Sequence, residues 1–245
     1  MPATSREEIQ RIGFFHFGTR YSQPTAELEA SLLETQRKRE LKNSLRVLPE
    51  GFNIGVNYSD VAASIADSRE VLLHLSTIAS RFSVALVAGL IVRESGRPSQ
   101  PYNSAFLIDG GSEPILICRK RNQDNAIGRY KVCHENYDIE NPTTYRNCSV
   151  AVLICMDAFQ QDGEDVQRHM RLASGMRKKD FGVLCIPAHM YRDNEGVAQG
   201  WGENWVVLAN SNANRPRGSY IARGGVIDHN FTAEGQVNQI VLKDL

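Results

Sequence analysis

The chain has 245 residues, with 28 Lys and Arg against 28 Asp and Glu and a formal net charge of zero. With no basic surplus to neutralise phosphates, neither nucleic acid nor an anionic membrane is an expected partner. A chain this long buries roughly 70–75% of its unfolded surface, so its core needs no disulfide or metal staple. α/β folds of this size routinely form one domain, and residues 1–245 are read as one. The five cysteines are an odd number without a CxxC or Cys/His ligand spacing, which argues against a disulfide framework or zinc site. No metal or other cofactor is expected. The opening ten residues are polar and charged, so no signal peptide is expected, and the longest apolar run falls far short of the ~18 residues of a membrane span. The expectation is a soluble protein of a reducing cytoplasm.

In chain order, residues 12–17 read as a first strand. Pro24 opens a helix on which Leu28, Leu32, Leu33 and Leu41 recur at helical spacing among charges. Residues 45–48 form a short apolar strand leading to Pro49 and Glu50. Asp60 is placed to cap a second helix, with Ile65, Leu72, Leu75, Ile78 and Ala79 on one face. Residues 84–92 are a third strand, and 105–108 with 115–118 form a hairpin turning at Asp109-Gly110-Gly111. From Arg121 to Asn147 the sequence is polar and aperiodic; such stretches in a compact domain are usually functional or disordered. A strand at 150–155, a helix near 165–176, a strand at 182–187, a helix near Trp201 and strands near Val206 and Val226 follow. Helices alternating with apolar strands indicate an α/β layered fold.

Three strand ends carry chemistry. Cys155 closes the apolar run Val150-Ala151-Val152-Leu153-Ile154, where the chain turns toward solvent. Glu50 follows a strand that stops at Pro49, and Lys120 ends the run Ile115-Leu116-Ile117-Cys118-Arg119. Taken singly, Cys155 reads as a small core hydrophobe and the other two as surface charges. Together they offer a carboxylate, an ammonium and a thiol at the carboxyl ends of strands, where α/β sheets place their sites.

In this order and with these flanks the chain resembles the carbon–nitrogen hydrolase (nitrilase) superfamily, whose members use a Glu-Lys-Cys triad. Its Pro-Glu segment falls on Pro49-Glu50, its lysine on Arg119-Lys120, and its Ile-Cys-aromatic-acid element on Ile154-Cys155-Met156-Asp157. Tyr102 to Asp109 is similar to the strand before the lysine, and Val206 to Asn210 and Gly224 to Asp228 to the C-terminal strands. Met156 stands where the family usually has Tyr or Trp, and Arg121-Asn122 replaces the usual residues after the lysine; both bear on the substrate.

The resemblance implies a four-layer α-β-β-α sandwich, an amidase-type hydrolase acting on an amide or carbamoyl amine, and a homodimer or larger assembly. It implies Cys155 as nucleophile, Glu50 as base, Lys120 and the Met156 N–H as oxyanion donors, and a second glutamate, for which Glu135 is the candidate. An ordinary carboxyl titrates near about 4.3 and a thiol near about 8.5, so thiol-to-carboxylate transfer costs roughly 5.7 kcal/mol. Burial and an adjacent ammonium act to close that gap.

Met156 and His189 are candidates for the substrate pocket, although His189 reads first as a hydrogen-bonded structural imidazole. Cys118 and Cys185 read as core, and Cys133 and Cys148 as loop thiols. Competing readings are a nitrile-cleaving enzyme, a binding protein of the same fold without turnover, and a redox thiol cycling through sulfenic acid.

Overall fold

The computed structural model describes residues 8–16, 24–37, 43–54, 68–93, 101–121, 141–158, 173–189, 195–211, 218–231 and 239–245. Two six-stranded sheets dominate these residues. The first contains β1 (Arg11–His16), β2 (Ser44–Leu48), β3 (Ala85–Arg93), β4 (Pro101–Ile108) and β5 (Ile115–Arg119). The second contains β6 (Thr143–Tyr145), β7 (Cys148–Val152), β8 (Val183–Ala188), β9 (Trp205–Asn210), β10 (Ser219–Arg223) and β11 (Val226–Phe231). The last strand, β12 (Gln239–Asp244), returns to the first sheet beside β1. Spatial orders are β12-β1-β2-β3-β4-β5 and β6-β7-β8-β9-β10-β11. Across either sheet the first pair is antiparallel, the next two parallel and the last two antiparallel. The two sheets therefore share one arrangement.

Parallel neighbours require crossovers, and helices α1 (Pro24–Arg37) and α2 (Ser68–Phe82) supply them for β1-β2-β3. The period-two alternation of strands then sorts the side chains. Phe14, Val47, Val87 and Leu107 face the second sheet, while Phe15, Leu48, Leu86 and Ile108 pack on Leu28 and Leu32 of α1 and Leu75 and Ile78 of α2. β1 and β2 lie against β9, and β3 against β8, so the sheets meet face to face. In the second sheet, β8 is buried along its whole length and β9 from Val206 onward, so these central strands are covered on both sides. Residues 173–177 and the short helix α3 (Glu195–Ala198) bring Met176, Val197 and Trp201 into its core cluster. The result is the expected α/β sandwich of four layers.

Several elements differ from expectation. Leu33 is 39% exposed, because α1 turns the face of Leu28, Ser31, Leu32 and Thr35 inward. Leu41, Asp60 and Ile65 lie outside the described residues. β7 stops at Val152, and Cys148 opens that strand rather than sitting in a loop. Both backbone groups of Val152 are taken by the Asn141 side chain, which accepts its N–H at 3.0 Å and donates to its carbonyl at 2.6 Å. Trp201 lies in a turn, its Nε1–H donating to the Val197 carbonyl at 2.6 Å. Gly224 and Gly225, at φ 58° and 79°, form the tight turn of the β10–β11 hairpin instead of beginning a strand. β6, β10 and β12 went unanticipated: β6 is three residues inside a polar stretch, and β10 merges with the hairpin that follows it.

Candidate active site

β2 is hydrogen-bonded on both sides, so Pro49, with no N–H and a fixed φ, ends it, and Gly51 at φ 66° turns the chain. Glu50 between them is fully buried. Neighbouring β3 passes Glu50 at Gly89, where no side chain fits. A Cβ there would stand 2.7 Å from Pro187 Cβ of the second sheet and 2.9 Å from Glu50 Cα.

Lys120 arrives at the same rim from β5, which runs antiparallel to β4 as β4 does to β3. A bulge between the pairs Ala105–Cys118 and Phe106–Leu116 inserts Ile117, so Ile117 and Cys118 both enter the core between the sheets. Two residues beyond Cys118, Lys120 is also buried, and its Nζ lies 2.6 Å from Glu50 Oε1. Asn103 on β4 holds both partners. Its carbonyl accepts the Lys120 N–H at 2.8 Å, and its Nδ2 donates to the same Glu50 Oε1 at 2.5 Å. Two charges this deep are tolerated only when each meets the other with good geometry.

Cys155 comes from the opposite sheet. Past the end of β7, the Leu153 N–H still donates to the Cys185 carbonyl at 3.1 Å. Cys155 then takes φ 48°, a left-handed conformation uncommon outside glycine, and opens a 3-10 turn over Cys155–Ala158. Such strain costs about 1–3 kcal/mol and clusters at functional turns. The thiol is buried and donates weakly to the His189 carbonyl at 3.8 Å. Within the turn, the Asp157 N–H donates to the Ile154 carbonyl at 3.0 Å. The buried Asp157 carboxylate accepts the Arg121 N–H at 2.9 and 3.3 Å. That contact ties the residue after Lys120 to the turn of Cys155, across the two sheets.

His189 follows β8 directly and is buried. Its Nδ1 pairs with Ser211 Oγ at 2.5 Å, and its carbonyl meets Cys155. Glu135 and the Met156 side chain lie outside the described residues. Glu50, Lys120, Cys155 and His189 thus come to one rim. Asn103 and Asp157 join them without having been singled out by the sequence as site residues. For Asn103 the signal was a polar residue in the inward row of an apolar strand, beside Ala105 and Leu107.

A thiol on a strained turn at the rim of a buried carboxylate–ammonium pair is equipment for covalent acyl transfer. Among the described residues no three His, Cys, Asp or Glu side chains gather as a metal site, and no helix is long and apolar enough to cross a membrane.

Solved structures share this architecture. The NitN amidase from Nesterenkonia sp. AN1 matches with a TM-score of 0.72 at 17% identity, over 96% of this chain and 92% of that one. A variant of that amidase in complex with butyramide gives 0.72 at 18%, over 98% and 92%. Another, with the acetamide moiety of fluoroacetamide added covalently at its active-site cysteine, gives 0.71 at 17%, over 98% and 92%. At these identities the likeness is one of fold. No curated protein matches the chain. The carbon–nitrogen hydrolase model, however, matches residues 22–207, a span that includes Glu50, Lys120 and Cys155, and the chain belongs to that family.

Proposed function

We propose that the protein hydrolyses the carbon–nitrogen bond of a small non-peptide amide through a thioester on Cys155. The observation that carries this reading is the buried Glu50–Lys120 pair at 2.6 Å, tied through Asp157 and Arg121 to the strained turn of Cys155. Glu50 takes the thiol proton, and the thiolate attacks the carbonyl carbon. The carbonyl electrons move to oxygen, where the Lys120 ammonium and the Met156 N–H receive the charge; preorganised donors of this kind supply the largest single term in acyl transfer. Collapse breaks the carbon–nitrogen bond, and the leaving nitrogen takes the proton from Glu50. Water then attacks the thioester, giving its proton to Glu50, and the carboxylic acid departs as the thiol is restored.

Glu135 is assigned as the second glutamate, orienting the amide and the water, and Met156 and His189 as walls of the substrate pocket. A primary amide is favoured as substrate class because variants of the Nesterenkonia amidase form a complex with butyramide and carry the acetamide moiety of fluoroacetamide on the active-site cysteine. The reading includes one catalytic domain over residues 1–245, acting in the cytoplasm as a homodimer or larger assembly, as the family likeness implies.

The test is ammonia release from acetamide, butyramide, carbamoyl amines and nitriles, with wild type and Cys155→Ala side by side. Release from the amides that vanishes in the variant is the expected result. No release from wild type, together with an intact mass showing no acyl adduct, overturns the reading.

A further inference from the structure

We propose that Asn103 is a positioning residue that decides which oxygen of Glu50 carries protons: Oε1 is held, and Oε2 transfers. The proposal rests on the reading of Glu50 as the base. Oε1 accepts from Asn103 Nδ2 at 2.5 Å and from Lys120 Nζ at 2.6 Å. A carboxylate oxygen offers about two lone-pair sites, so these donors fill Oε1, and a proton arriving there must displace one of them. Proton traffic with the thiol, the leaving nitrogen and water therefore falls to Oε2.

The orientation of the amide follows from the same chemistry. A carboxylate only accepts, so the NH2 side of Asn103 has to face Glu50. That orientation leaves Asn103 Oδ1 buried and without a donor among the described residues. A buried acceptor left unmade works against folding, so the stability of β4 does not account for a polar side chain here; the carboxylate does. Asn103 is also the residue whose carbonyl seats Lys120, so one position sets both members of the pair.

Among the described residues, the other charged and titratable groups at this rim are Lys120 and Arg121 after β5, Cys155 and Asp157 in the turn after β7, and His189 after β8. None of them is altered in the variants that test Asn103. Asn103→Asp keeps the shape and replaces the donor by a second carboxylate against Glu50. Asn103→Leu removes the donor altogether. In both the backbone bond to Lys120 remains.

The readout is the rate at which iodoacetamide alkylates Cys155, followed by intact mass and peptide mapping from acid to alkaline pH. Wild type, Glu50→Gln and both Asn103 variants are compared, with kcat and KM for an amide alongside. In Asn103→Asp two carboxylates share one proton, so the acid limb moves to higher pH by more than about one unit, the neighbouring Lys120 offsetting part of the effect. Asn103→Leu moves it the same way by less, and kcat falls while KM holds.

A residue serving the fold alone would leave the limb where wild type has it, and that result in both variants overturns the proposal. If Asn103→Leu does not fold, Asn103→Asp decides. A Glu50→Gln profile identical to wild type would instead remove Glu50 as the base, and the proposal with it. A changed Glu50→Gln profile beside unmoved Asn103 variants rejects the positioning role alone.

Discussion

Replacing Gly89 by Ala probes the place where the two sheets close over Glu50. The added Cβ would meet Pro187 Cβ at 2.7 Å, Glu50 Cα at 2.9 Å and the Pro49 carbonyl oxygen at 3.2 Å. Carbon atoms rest about 3.5–4.0 Å apart, so the first two contacts are compressed by roughly 0.6–1.3 Å. Neither neighbour can swing away: one belongs to a proline ring inside β8, the other to backbone. Overpacking of this kind costs about 1–3 kcal/mol, and the upper end applies where backbone must shift. At roughly 2–4 °C per kcal/mol for a chain of this length, the melting temperature falls by about 6–12 °C. Relief that moves Glu50 also lengthens its 2.6 Å contact with Lys120. A misplacement of about 1 Å at a reacting group can cost ~100-fold in rate. Thermal unfolding by circular dichroism and kcat for ammonia release measure the two effects. A Gly89→Ala variant that melts with wild type and turns over at the wild-type rate would refute the claimed closeness of β3, β8 and Glu50.

Three further outcomes are expected. Lys120→Met and Glu50→Gln each cost about 3–5 kcal/mol by leaving one buried partner without the other, and the double variant costs clearly less than their sum; urea midpoints yielding simple additivity would exclude the pair as a structural unit. Asp157→Ala loses about 1.5–3 kcal/mol and most of kcat, because the Arg121 N–H that anchors Lys120 loses its acceptor, while Asp157→Asn recovers part of both; equal activity in all three proteins would count against the link. Burial against Ser219 pushes His16 down to about 4 from 6.5. The unfolded chain therefore binds a proton that the folded one refuses, so stability is full above about 6.5 and declines by roughly 3 kcal/mol as pH falls toward about 4. His16→Gln flattens the stability curve across that window, and an unchanged slope would contradict the assignment.

The strand ends to which the chemistry is assigned were readable because local rules mark them. Pro49 has to end an interior strand, and a five-residue apolar run has to turn before Met156-Asp157. The periodicity of α2 likewise places Leu75, Ile78 and Ala79 inside without further information. What escaped depends on long-range register. The Ile117 bulge arises only from pairing with β4, yet it carries Lys120 inward. Asn103 acquires its role from a residue 53 positions away, and Asp157 from one 36 positions away, distances over which no spacing rule operates. Cys155 looked like a strand terminus because Leu153 and Ile154 are apolar, whereas the side chain of Asn141 closes the ladder at Val152 and frees the next residues to turn.

On the proposed assignment the thiol hangs from one sheet and its carboxylate and ammonium from the other, so neither sheet alone would contain the reactive centre. During synthesis, or in any partly opened form, Cys155 is an ordinary thiol with no base beside it. On that reading, arming of the nucleophile coincides with the final docking of the sheets, and a partly opened molecule carries no more than the reactivity of an ordinary thiol.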